Sequence, residues 1–126
     1  VRHVPIYLSV LEGEPVRRRV WFRATEPLPE DDALVHACVA TYASDLTLLG
    51  TALLPRRVLP EDVQLASLDH AMWFHRPVRA DDWLLYGALS PSATNGRGLA
   101  IGEIWDAQGR LVCTVVQEGL MRPMRA

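Results

Sequence analysis

Segments with strand-like patterns of apolar and polar residues flank one stretch that breaks the pattern, "DDALVHACVATYASDLTLLGTALLP" at residues 31–55. Before it, "VPIYLSVLEG" and "RRRVWFRATEP" are rich in β-branched and aromatic residues, with "EGEP" between them as a turn. In "EPLPEDD", a proline and then three acidic residues suit the positive end of a helix dipole. A helix is therefore expected from about Glu30 to Leu49, with Gly50 as its stop and "LLPRRVLPEDV" as a loop. After it come "QLASLDHAMWFHRPV", "DWLLYGALSPSATNG", "RGLAIGEIWDAQG" and "RLVCTVVQEGLMR", the last two joined by the tight turn "DAQG". The pattern predicts five or six antiparallel strands and one long early helix, an α+β arrangement in a single domain spanning residues 1–126.

Two adjacent stripes run along the helix: Leu34, Cys38, Thr41, Asp45 and Leu48, and Val35, Val39, Tyr42, Leu46 and Leu49. A helix apolar nearly all round is expected to be buried on most of its surface. A flat sheet cannot bury it so completely, so the sheet is expected to curve around it, with Asp45 facing packed protein. From Ala33 to Leu54, Asp45 is the one formal charge. A buried carboxylate is costly unless something pairs with it or uses it.

Two further polar residues fall where a core residue is expected. On the last strand Leu111, Cys113, Val115 and Gln117 share a face. On an earlier strand, alternation places Ser67, Asp69, Ala71, Trp73 and His75 on one face and Leu68, His70, Met72, Phe74 and Arg76 on the other. Asp45, Ser67 and Gln117 together supply one carboxylate to accept a proton and two neutral groups to hold a water. A water-activating hydrolase needs such a set when it lacks both a metal and a covalent nucleophile. The same residues also suit a purely structural role, with Asp45 satisfied inside the core and Gln117 ending a strand.

Rival chemistries fit less well. His70 and His75 point opposite ways on a strand, which disfavours a shared metal. A Ser67–His70–Asp triad places its serine within a strand, without an exposed turn, and its two strand residues on opposite faces. Arg56–Arg57 and Arg17–Arg18–Arg19 read as solvated charge, though a loop pair could meet a phosphate.

Composition narrows the picture further. The net charge of -2 offers nothing to attract nucleic acid or anionic lipid. Cys38 and Cys113 sit among apolar neighbours and read as reduced core residues, in keeping with a cytoplasmic location. Residues 33–54 are long enough to suggest a membrane span, but Asp45, His36, Gly50 and several hydroxyls argue against one. There is no signal-peptide pattern, and the start at Val1 suggests processing or a piece of something longer.

"YASDLTLL", "LASLDHAMWFHRPVRADDWLLY" and "TVVQEGLMR" together resemble the acyl-CoA thioesterase II family, in its C-terminal half. The likeness runs from "RRVWFRA" to "QEGLMR". It implies a hotdog fold, a curved antiparallel sheet around a long helix, and hydrolysis of acyl-CoA to a free acid and CoA without cofactor or metal. It also places the family's catalytic aspartate on Asp45 and its catalytic glutamine on Gln117, and puts Ser67 where the family has a catalytic threonine. Family members join two hotdog repeats, so this single repeat is expected to pair with another hotdog domain, an N-terminal half or a second copy. "WLLYGALS" and "GLAIGEIW" are the expected joining strands. The chain contains no lysine, so Arg56, Arg57 or Arg76 are the candidates for the CoA phosphates. The alternative from another class is a non-catalytic hotdog half, acyl-binding or structural.

Overall fold

The computed structural model describes residues 1–4 and 16–124. Most of the expected first strand and its "EGEP" turn lie outside those residues. Six strands are found among the described residues: β1 Arg2–Val4, β2 Arg18–Phe22, β3 Val63–Phe74, β4 Leu84–Thr94, β5 Arg97–Trp105 and β6 Leu111–Pro123. They form one antiparallel sheet in the order β1-β2-β4-β5-β6-β3. One helix, α1 (Ala33–Thr47), packs against one face of it. This is the hotdog arrangement, with the sheet left open.

Helix α1 starts later than the acidic run suggested. Asp32 is its cap, and its Oδ1 accepts the Val35 N–H at 3.1 Å, so Glu30 and Asp31 stay outside. The helix also stops earlier, at Thr47. The chain does not loop at Gly50 but continues as a 3-10 segment, Leu49–Arg56, that runs through Gly50 and Pro55. Leu49, Thr51, Ala52 and Leu53 are buried there, and Arg57 ends the segment in the left-handed conformation at φ 54°. By length and composition Ala33–Arg56 is apolar enough to cross a membrane. Here it is laid against the sheet.

The helix buries a stripe different from either one read in the sequence. His36, Ala40, Ser44 and Leu48 face the sheet, whereas Leu34, Tyr42 and Leu46 are 56–72% exposed. Cys38 is exposed and only Cys113 is buried, which corrects the expectation of two core cysteines. The small residues of the buried stripe let the helix approach closely, and the sheet answers with small residues of its own. A Cβ on Gly102 would stand 2.5 Å from the Tyr86 ring, and one on Gly119 would collide with Leu49. Tyr86 uses that space to pack edge-on to Phe22, 6.3 Å between ring centroids. Its hydroxyl donates to the Ser44 carbonyl at 3.0 Å, tying β4 to the helix one residue before Asp45. Burial, more than the nearby Asp45 charge, pushes the Tyr86 phenol far above its ordinary range.

Buried polar groups hold the start of the helix in the same manner. His36 Nε2–H donates to the Pro29 carbonyl at 2.9 Å, and Nδ1 accepts the Ala80 N–H at 3.0 Å. Next to it, Asp81 accepts the Leu28 N–H at 2.9 Å; that bond, and then Arg79, holds its carboxyl below the usual range. The "DAQG" turn forms as expected, with Asp106 accepting backbone N–H groups of Gln108 and Arg110 and Gly109 at φ 81°.

The sheet order corrects the expected joining strands. "WLLYGALS" and "GLAIGEIW" fall on β4 and β5, each of which is paired on both sides and has no edge to offer. β3 is the long strand with a free edge, since it pairs with β6 alone.

His36→Leu is expected to strand the buried Ala80 N–H and the Pro29 carbonyl, at a cost of about 1–3 kcal/mol. Urea denaturation should show the midpoint falling in proportion, and an unchanged midpoint would deny His36 its clamping role.

Candidate active site

Asp45 lies in the last turn of α1, Ser67 on β3 and Gln117 on β6. Gln117 belongs to the inward row Cys113, Val115, Gln117 and Gly119, with Ala100 of β5 on one side and His70 of β3 on the other. An amide there lies under the helix and is fully buried. Its Nε2 donates both of its hydrogens, to Asp45 Oδ1 at 3.0 Å and to Ser67 Oγ at 2.6 Å. The three residues singled out in the sequence therefore meet at one amide, although they come from three elements.

Their burial differs from the expectation. Gln117 is enclosed, but the Asp45 side chain is 60% exposed and Ser67 is exposed as well. The helical face that carries Asp45 also carries Leu34, Tyr42 and Leu46, so the charge stands on an uncovered apolar surface rather than in packed protein. Asp45 avoids the cost of burial in this chain, and Gln117 fixes one of its oxygens.

Strand β3 does not alternate as read. Ser67 pairs with Gly119 and Asp69 with Glu118, so Leu68 is the extra residue of a bulge. The bulge reverses the faces beyond it: Ser67 and His70 both look inward with Gln117. Asp69 turns outward and accepts the Glu118 N–H at 3.1 Å. His70 reaches the helix, with Nε2 2.9 Å from Ser44 Oγ and Nδ1 3.8 Å from Asp45 Oδ1. Sequence reasoning missed His70 and Ser44 as neighbours of the site. The available signal was the polar cluster "SLDH" itself, in which Ser67, Asp69 and His70 cannot all obey one alternation and all be satisfied.

The rival constellations separate in space. Ser67 Oγ is held by Gln117, while His70 is held by Ser44, so no described hydrogen bond links the serine to the imidazole. His75 Nε2 is 2.8 Å from Thr114 Oγ1, on a different partner from His70. Among the described residues no three His, Cys, Asp or Glu side chains group as metal ligands. Arg56 donates to the Ala52 carbonyl and Ser90 Oγ, and Arg76 to the Leu111 carbonyl. A groove of about 580 Å³ lies along the 3-10 segment, lined by Leu53, Leu54, Val58 and, two positions from Ser67 on the inward row of β3, Leu65.

Chemically, the cluster offers a carboxylate with one oxygen anchored and the other without a hydrogen bond among the described residues, and a serine hydroxyl whose oxygen accepts from Gln117. A water placed between them would meet a base and a hydrogen-bond donor together.

Comparison with known proteins gives this geometry a family. The acyl-CoA thioesterase family model matches residues 2–120. Mouse acyl-coenzyme A thioesterase 8 is 45% identical over 118 residues, 94% of this chain and 37% of that protein. Acyl-CoA thioesterase 2 of Haemophilus influenzae is 37% identical over 110 residues, 86% of this chain and 38% of that protein. The crystal structure of an acyl-CoA thioesterase II from Mycobacterium marinum superposes with a TM-score of 0.87 at 49% identity, covering 99% of this chain and 50% of that one. The chain thus spans little more than a third of the curated relatives and half of the solved one. Matched by the family model over nearly all of its length, it belongs to the acyl-CoA thioesterase family.

Proposed function

We propose that this chain is the site-bearing hotdog domain of an enzyme that hydrolyses acyl-CoA thioesters to a free acid and CoA. The observation that carries the reading is the single buried amide of Gln117, bonded at once to Asp45 and Ser67. Asp45 acts as general base on a water held by Ser67, while Gln117 fixes both side chains through its two amide hydrogens. The water oxygen attacks the thioester carbonyl while its proton passes to the Asp45 carboxylate. The tetrahedral intermediate then collapses, the carbon–sulfur bond breaks, and CoA leaves as thiolate. The acyl chain lies in the groove that Leu65 shares with His3 and Arg18, a reading supported by Leu65 standing two positions from Ser67 on the inward row of β3.

Asp45→Asn keeps the shape of the side chain and removes its basicity. Steady-state assays on acyl-CoA are expected to show turnover reduced about 10²–10⁴-fold, with the fold intact by circular dichroism. Ser67→Thr, which keeps the hydroxyl, is expected to remain active. Wild-type turnover in Asp45→Asn would remove Asp45 from the mechanism as its base.

The partner in this reading is another hotdog domain, either an N-terminal half or a second copy. Support comes from the free edge of β3, twelve residues long, and from the exposed apolar side chains beside it: Tyr42 and Leu46 on α1, Leu68, Trp73 and Phe74 on β3. Unpaired edges and contiguous apolar surface are features that proteins cover. Asp45 and Ser67 lie on this same uncovered side, so the partner would also close the site over the substrate. An interface of about 1,600 Å² or more is expected. Leu46→Glu should release the domain from its partner in sedimentation experiments and depress hydrolysis together with assembly. A stable, fully active monomer would refute this part of the reading.

A further inference from the structure

The proton that Asp45 takes from water must go somewhere before the next turnover, and the structure offers a place for it. His70 lies on the inward face only because of the bulge at Leu68, directly across from Gln117. Its Nε2 is 2.9 Å from Ser44 Oγ, and Ser44 Oγ is 2.7 Å from the Thr41 carbonyl. With the serine proton on that carbonyl, the hydroxyl oxygen accepts from His70 Nε2–H and the imidazole lone pair stands on Nδ1, the tautomer on which the inference rests. Nδ1 is buried, has no hydrogen-bond donor among the described residues, and faces Asp45 Oδ1 at 3.8 Å.

A bare lone pair set against a carboxylate is an unfavourable pairing of two acceptors. It becomes favourable once a proton lies between them, because imidazolium and carboxylate at that distance form an ion pair. Resting on the thioesterase reading of the site, we infer that His70 is a positioning residue that stores the catalytic proton, acting through Asp45. The proton leaves water for the Asp45 carboxylate and passes on to His70 Nδ1, since imidazole is by nature the stronger base of the two side-chain types. Asp45 is thereby restored as an anion, paired with the imidazolium. The departing CoA thiolate, a stronger base again, carries the proton away as the thiol, and the balance closes on one water consumed and one acid and one thiol released.

The other titratable groups nearby take no part in this exchange. From β4, Tyr86 bonds to the Ser44 carbonyl, and burial raises its phenol well beyond the physiological range. From β6, burial pushes the Cys113 thiol up to about 11. Asp69 and Glu118 belong to the opposite face of the sheet, where Glu118 lies 3.6 Å from Arg97. Asp45 is thus the ionisable group from α1 that faces His70.

The test uses the protein in its full assembly and reads both turnover and the isolated pair. His70→Gln presents an amide N–H to Ser44 and removes the basic nitrogen. It is expected to lower kcat about ten- to a hundredfold with KM little changed, and wild-type kcat in His70→Gln overturns the proposal. Independently of substrate, the ¹⁵N NMR shifts of the His70 imidazole read the pair: the neutral ring is expected to carry its proton on Nε2, and a ring that carries it on Nδ1 overturns the proposal. If the wild-type protein hydrolyses no acyl-CoA, the thioesterase reading falls by itself, and an unprotonated Nδ1 still sustains the Asp45–His70 pair.

Discussion

Gln117 is a primary amide enclosed beneath a helix, and its enclosure constrains everything around it. A buried amide that lost its partners would cost about 1–3 kcal/mol per unsatisfied group, so the two N–H bonds to Asp45 and Ser67 serve stability and site geometry together. Those bonds are possible only if α1, β3 and β6 keep their present distances. The helix must approach closely enough for its last turn to reach the sheet, which the buried run of His36, Ala40 and Ser44 and the glycines facing it permit. It must also be held along its axis, and Tyr86 does so by bonding to the carbonyl of the residue preceding Asp45. The bulge at Leu68 then turns Ser67 and His70 to the same side as the amide.

Much of this was legible in the sequence, and particular residues explain where the reading stopped. The apolar helix among strand-like segments pointed to a sheet curved around a helix, and the resemblance added the hotdog fold. Asp45, Ser67 and Gln117 stood out because each is polar where periodicity demands an apolar residue, and they do converge. Which stripe of α1 faces the sheet was not legible. Leu34, Tyr42 and Leu46 are apolar and exposed, while His36 and Ser44 are polar and buried, because the polar residues bond to neighbours within the chain. Hydrophobic periodicity alone does not register such bonds.

Strand order and the bulge were hidden for a different reason. Few charges and no proline before Pro91 in "WLLYGALS" and "GLAIGEIW" suggested joining edges, but the same composition suits strands paired on both sides, where they are found. A bulge inserts a single residue, and one residue inverts every face beyond it. Reading "SLDH" as strict alternation therefore sent His70 to the wrong side and hid its link to Ser44 and Asp45.

The central claim is that Asp45 works as a base because Gln117 holds it in place beside Ser67. A double-mutant cycle on kcat with Asp45→Asn and Gln117→Leu tests it most directly, provided that each variant is confirmed folded. If the two residues act as one unit, the double variant should be little slower than the slower single variant, leaving a large interaction term. Strictly multiplicative losses would mean that the carboxylate and the amide contribute separately, and would contradict the account.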